Sequence, residues 1–120
     1  MDIDNYLNQI FSLKEKVSLV TGASRGLGRG YALTLAYAFA TEWAKYRINV
    51  NAIAPGYFKT ELTSALFRDK EKLNWLLSRI PLGRTGVSED LSGTLLFLAS
   101  SASDYVTGQI IAVDGGWLSG

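Results

Sequence analysis

The chain has 120 residues, 48% of them hydrophobic and 19% charged, with a formal net charge of +1. This is a globular composition at the length of one ordinary domain, 1–120, and its scattered basic residues (Lys14, Arg25, Lys45, Arg68, Arg84) give no electrostatic case for nucleic acid or an anionic membrane. With neither cysteine nor histidine, the sequence excludes disulfides, thiolate metal sites and any Ser-His-Asp arrangement.

The first eleven residues are acidic and mixed, without the basic and apolar regions of a signal peptide. No apolar run approaches the ~20 residues that a spanning helix requires, so the expectation is a soluble cytoplasmic protein. Residues 16–21 (KVSLVT) form a β-branched apolar run that reads as a buried strand. A glycine-rich turn follows from Gly22 to Gly28, and a proline-free helical pattern then runs to about Arg47. Leu27, Tyr31, Leu35, Phe39, Trp43 and Tyr46 recur at helical spacing as one apolar stripe, expected to pack in the core.

Residues 48–53 (INVNAI) read as a second strand, with Ile48, Val50 and Ala52 on one face, ended by Ala54-Pro55-Gly56. The segment from Thr60 to Ile80 reads as helix in two pieces, broken near Arg68 to Lys70 and stopped by Pro81. Ser88 is the expected N-cap of a further helix running towards Ala102, with Glu89 and Asp90 favourable in its first turn. A third strand, 109–113, closes at Asp114-Gly115-Gly116. Strands apolar on both faces and alternating with helices predict an α/β fold with a mainly parallel sheet.

The local motif with the most chemistry in it is Thr21-Gly22-Ala23-Ser24-Arg25-Gly26-Leu27-Gly28. A strand before it and a helix after it are the context of a dinucleotide-binding loop. Glycines let the backbone approach a pyrophosphate, and the helix N-terminus presents free N–H groups to it. A plain strand-to-helix turn is the alternative. Arg25 could pair with a ribose 2′-phosphate or simply be solvated. Glu42 falls near the spacing of a ribose-binding acid, but it lies on the long helix and takes no such role.

Two stretches resemble the short-chain dehydrogenase/reductase family. TGASRGLG after KVSLV looks like its cofactor loop. Residues 41–116, with TEWAKYRINVNAIAPGYFKTEL, RIPLGRTG and FLASSASDYVTGQIIAVDGGW, look like its C-terminal third. APGYFKTELT and SASDYV are similar to members acting on sugar acids, the gluconate and deoxygluconate dehydrogenases. The resemblance implies a truncated Rossmann-type sheet of about three strands (16–21, 48–53, 109–113), NAD or NADP as cofactor, and hydride transfer at an alcohol carbon. It places Gly22, Ser24, Arg25, Gly26, Leu27 and Gly28 in the pyrophosphate loop. It places Pro55, Gly56, Phe58 and Thr60 along the nicotinamide half.

The family's catalytic tyrosine is followed four residues later by lysine. Four residues after Tyr6, Tyr31, Tyr37, Tyr46, Tyr57 and Tyr105 stand Ile10, Leu35, Thr41, Val50, Glu61 and Gln109, so no such pair exists. The strand that would carry the catalytic serine is also absent. Relative to the family, the chain passes from the first helix into the helix before the sixth strand, joining near Leu35 to Tyr37. Such a join strips the remaining strands of neighbours, which predicts self-association through exposed edges or apolar helix faces.

Overall fold

The structure is a computed structural model, and it describes residues 2–10 and 26–120. The expected strand at 16–21 and the loop residues Gly22, Ser24 and Arg25 lie outside the described residues. The elements are α1 (Ile3–Ile10), α2 (Gly26–Trp43), β1 (Ala52–Pro55), α3 (Ser64–Arg68), α4 (Lys70–Ser78), α5 (Ser92–Ala99) and β2 (Ile110–Val113), with short 3₁₀ turns between them. The chain divides into two compact units, one of Met1–Ala52 and Gly93–Ile111, the other of Ile53–Ser92 and Ala112–Gly120.

β1 and β2 pair in a two-stranded sheet. Ala52 N–H donates to the Gln109 carbonyl and Gly56 N–H to the Val113 carbonyl, so numbering rises together along both strands and the pairing is parallel. This is the α/β arrangement the sequence predicts. Strand 109–113 is found at Ile110–Val113, but the strand expected at 48–53 begins only at Ala52. The reason lies in two asparagines. Asn49 Nδ2 donates to the carbonyls of Ser103 (3.2 Å) and Asp104 (3.1 Å), and Asn51 Nδ2 to that of Val106 (2.8 Å). Asn51 Oδ1 accepts the Gln109 N–H, and Thr107 Oγ1 accepts the Val50 N–H. Side chains thus occupy partners that a regular ladder would use, a competition that short polar side chains commonly win.

In the first unit α1 is an element the sequence reading did not expect. Asp2 accepts the Asn5 N–H at its start, and Ser101 Oγ donates to the Ile10 carbonyl at its end. α2 runs unbroken across residues 35–37. Of the predicted stripe, the burial of Leu27, Tyr31 and Leu35 lies outside what is described. Among the residues of α2 whose burial is described, Ala36 and Ala40, four apart, are buried, while Tyr46, beyond the helix end, is exposed. Phe39 and Trp43 are half-buried and stack on each other, ring centroids 4.4 Å apart. Small side chains face the packed side because they allow the closest approach; the aromatics cover one another instead.

The second unit is built on α3 and α4. Their break falls at Asp69, inside the predicted interval, where the Asp69 carboxylate accepts the Lys72 N–H and caps α4. That bond, followed by the Lys72 side chain, holds the Asp69 carboxyl below its usual range. α4 buries Leu76, and Ile80 is buried just beyond it, ahead of Pro81. At the next helix the predicted cap is corrected. Ser88 lies inside a 3₁₀ turn, Ser88–Leu91, whose preceding residue is Val87; the Val87 N–H is taken by Asp90 Oδ2 at 2.9 Å. The carboxylate three residues on reaches back to that N–H, as the third residue of a capping box does, which makes Val87 the residue before the turn and places Ser88 one position inside it.

Candidate functional site

Pro55, Gly56, Phe58 and Thr60 all lie in the second unit, on the stretch that leaves β1. Gly56 is held by its N–H bond to Val113, and a Cβ added there would stand 2.6 Å from Asp114 Cα. Only glycine permits that approach. The requirement comes from the neighbouring strand end, which is a packing reason independent of any ligand. Asp114 is itself fully engaged: Oδ1 accepts the Gly116 N–H (2.9 Å) and Oδ2 the Leu118 N–H (3.0 Å).

Phe58 forms an isolated parallel bridge with Gly86. Gly86 N–H donates to the Tyr57 carbonyl and Lys59 N–H donates to the Gly86 carbonyl, both at 2.9 Å. Thr63, a residue the sequence reading did not single out, ties down the other side. Its Oγ1 accepts the Thr60 N–H (2.9 Å) and donates to the Phe58 carbonyl (2.8 Å), with Thr60 Oγ1 3.2 Å away. Two hydroxyls and a carbonyl therefore converge on a turn of six residues. Tyr57 packs edge-on against Trp117, centroids 4.8 Å apart. Trp117 in turn meets Trp75, and Arg79 lies over both indoles.

Tyr57, Phe58, Leu82, Arg84, Asp90 and Asp114 are among the residues lining a cavity of about 140 Å³. Arg84 and Asp90 form a bidentate pair on its wall, Nη1 to Oδ2 at 2.7 Å and Nη2 to Oδ1 at 2.8 Å. The Arg84 guanidinium, and after it the Val87 N–H, holds the Asp90 carboxyl far below the usual carboxylate range; Asp90 raises Arg84 in return. The pair escaped sequence reading because six residues is no helical or strand spacing, so only the path of the loop brings the two together. No group of three acidic or other metal-ligating side chains stands together among the described residues. Gly26, Leu27 and Gly28 open α2 in the first unit.

Residues 26–118 match the family described as enoyl-(acyl carrier protein) reductase. The chain belongs to the short-chain dehydrogenase/reductase family. This member is 60% identical over 80 residues to 2-dehydro-3-deoxy-D-gluconate 5-dehydrogenase of Dickeya dadantii, covering 67% of this chain and 32% of that protein. It is 40% identical over 109 residues to 5-keto-D-gluconate 5-reductase of Escherichia coli, covering 91% of this chain and 43% of that one. Its fold is similar to the crystal structure of a gluconate 5-dehydrogenase from Burkholderia cenocepacia in complex with NADP and tartrate. The TM-score there is 0.77 at 41% identity, over 91% of this chain and 43% of the other. The dehydrogenase/reductase chain thus spans about a third to two-fifths of the length of these relatives. Their names make them sugar-acid oxidoreductases, as the resemblance implied. Among its described residues no helix is long and apolar enough to cross a membrane.

Proposed function

We propose that this chain is a truncated, cytoplasmic member of the sugar-acid branch of its family that holds NAD or NADP but transfers no hydride by itself. The observation that carries the reading is a mismatch within one sequence. The Pro55–Thr60 turn is kept with its hydroxyls and carbonyl, yet none of the six tyrosines has a lysine four residues on. The hydroxyl and carbonyl groups of the turn suit the neutral carboxamide of a nicotinamide cofactor: Phe58 and Thr60 would hold that end, with Pro55 and Gly56 shaping the approach. Gly22, Ser24, Arg25, Gly26, Leu27 and Gly28 would hold the pyrophosphate. When bound, the dinucleotide supplies the hydride-accepting ring. The chain's own residues bind and orient it.

The test is a calorimetric titration of the folded chain with NADH and NADPH. Saturable binding is expected, weakened at least about tenfold by Gly26→Val, because a branched side chain blocks the approach of a phosphate to the loop backbone. A folded chain that binds neither nucleotide would refute the reading.

A second reading is favoured by a specific observation. Leu95 and Leu96 on α5 are each about two-fifths exposed, and Tyr105 is fully exposed. Apolar groups left in water favour association. The chain then acts as an interaction piece that pairs with a second copy of itself. Sedimentation over a range of concentrations is expected to show oligomers, and a monodisperse monomer at high concentration would rule this out.

A further inference from the structure

Besides Thr63, whose N–H donates to the Thr60 carbonyl, the backbone partner of the Tyr57–Thr60 turn among the described residues is Gly86. Gly86 brackets Phe58 with two hydrogen bonds, to the residue before it and the residue after it. A Cβ at Gly86 would sit 2.6 Å from Phe58 Cε1, so the ring rests directly on the glycine backbone. The position of Phe58 is therefore set by the position of Gly86. Gly86 sits in a loop closed at both ends by one ion pair. Arg84 Nη1 and Nη2 donate to the two Asp90 oxygens, and Nη1 also donates to the Thr85 carbonyl at 3.1 Å. Asp90 Oδ2 additionally accepts the Val87 N–H. Two bonds thus span residues 84–90 with Gly86 between them, and one more anchors each end of the clasp to the loop backbone, at Thr85 and at Val87.

Exposed ion pairs contribute little to global stability unless their geometry is bidentate. This one is bidentate, and its planar fork fixes direction as well as distance. Its mechanical consequence is local. With the clasp closed, Gly86 presents its N–H and carbonyl to the turn at one separation. With it open, residues 84–90 are a loop with two glycine-adjacent backbone bonds and no side-chain closure.

We propose that Arg84 and Asp90 are positioning residues. They lock Gly86, and Gly86 holds the Phe58 turn in the geometry that receives the nicotinamide end of the dinucleotide. This rests on the reading of Pro55–Thr60 given above, and the experiment separates the two.

In the ligand-free full chain, amide hydrogen exchange at Gly86 and Lys59 is expected to accelerate in Asp90→Asn and in Arg84→Gln, while the Leu76 amide in α4 keeps its rate. Unchanged exchange at Gly86 and Lys59 would overturn the clasp whatever the ligand does. In titrations, Asp90→Asn is expected to weaken NADPH by up to about fivefold, the upper end for an exposed pair. The same variant should leave 2′-phospho-ADP-ribose, which lacks the nicotinamide ring, at wild-type affinity. Asp90→Glu, which keeps a carboxylate, should recover most of the loss. Equal weakening of both ligands would mean general destabilisation and would overturn the positioning role. A wild-type chain that binds neither ligand would overturn the cofactor reading, and the positioning role with it, even if the exchange rates confirm the clasp.

Discussion

Mixed with NADP and gluconate, or with NADPH and 5-keto-D-gluconate, the 120-residue chain is expected to change the nicotinamide absorbance no faster than buffer. A positioned general acid/base contributes about 10²–10⁴ in rate. Holding substrate and cofactor in register supplies roughly 7–11 kcal/mol more. The chain has no tyrosine–lysine pair for the first of these. Tyr57 sits beside the retained turn, but it packs its ring edge-on to Trp117 and is followed four residues on by Glu61. Without that pair, turnover is expected to fall below detection. Sustained multiple turnover by the purified chain would show that another group does the proton transfer, and the claim of an empty active site would fall.

A Gly56→Ala variant is expected to lose about 2–3 kcal/mol of stability, the upper range for forcing an atom into a packed site. The added carbon would meet Asp114 Cα at 2.6 Å and Asp114 Cβ at 2.7 Å. One of these is main chain on the neighbouring strand end, so no side-chain rotation relieves the contact. Asp114 is further fixed by its bonds to the Gly116 and Leu118 amides, so it resists being pushed aside. In a domain of this size that loss lowers Tm by about 8–12 °C, measurable by thermal circular dichroism. A variant melting within a degree or two of wild type would mean that β1 and β2 separate freely at this end. The role assigned to Gly56 would then pass from packing to ligand approach.

These two results concern different layers of the same turn. The first depends on residue types the sequence does not contain. The second depends on a contact between residues 58 positions apart. If Gly56→Ala unfolds the chain, its effect on NADPH binding carries no information. The clasp variants at Arg84 and Asp90 are then the better probes of the turn.

Composition and spacing sufficed for much of this protein. The alternation of apolar strands with helices, the break before Lys70, the stop ahead of Pro81 and the strand ending at Asp114-Gly115-Gly116 are all local. Each follows from backbone preference or side-chain periodicity within a few residues. The missing tyrosine–lysine pair is equally local, since it is a matter of which residue stands four places on. The Pro55-Gly56 turn could be read as a site, but the reason it must be glycine could not. That reason is Asp114, which pairing of β1 with β2 brings alongside.

The remaining features were decided by tertiary structure, because their partners are remote or their spacing follows no period. The start of β1 at Ala52 depends on Asn49 and Asn51 finding carbonyls more than fifty residues away. On α2 the described residues that are buried are Ala36 and Ala40, with Phe39 and Trp43 half-buried, because small side chains allow the closest approach. The side chains that satisfy the loose N–H groups of Thr60 and Val87 are Thr63 and Asp90, neither of which was read from the sequence as a cap. Arg84 and Asp90 meet only because the loop between them folds back over Phe58. Pattern sets what each segment prefers to be, whereas the three-dimensional path alone sets which distant polar groups come within bonding distance.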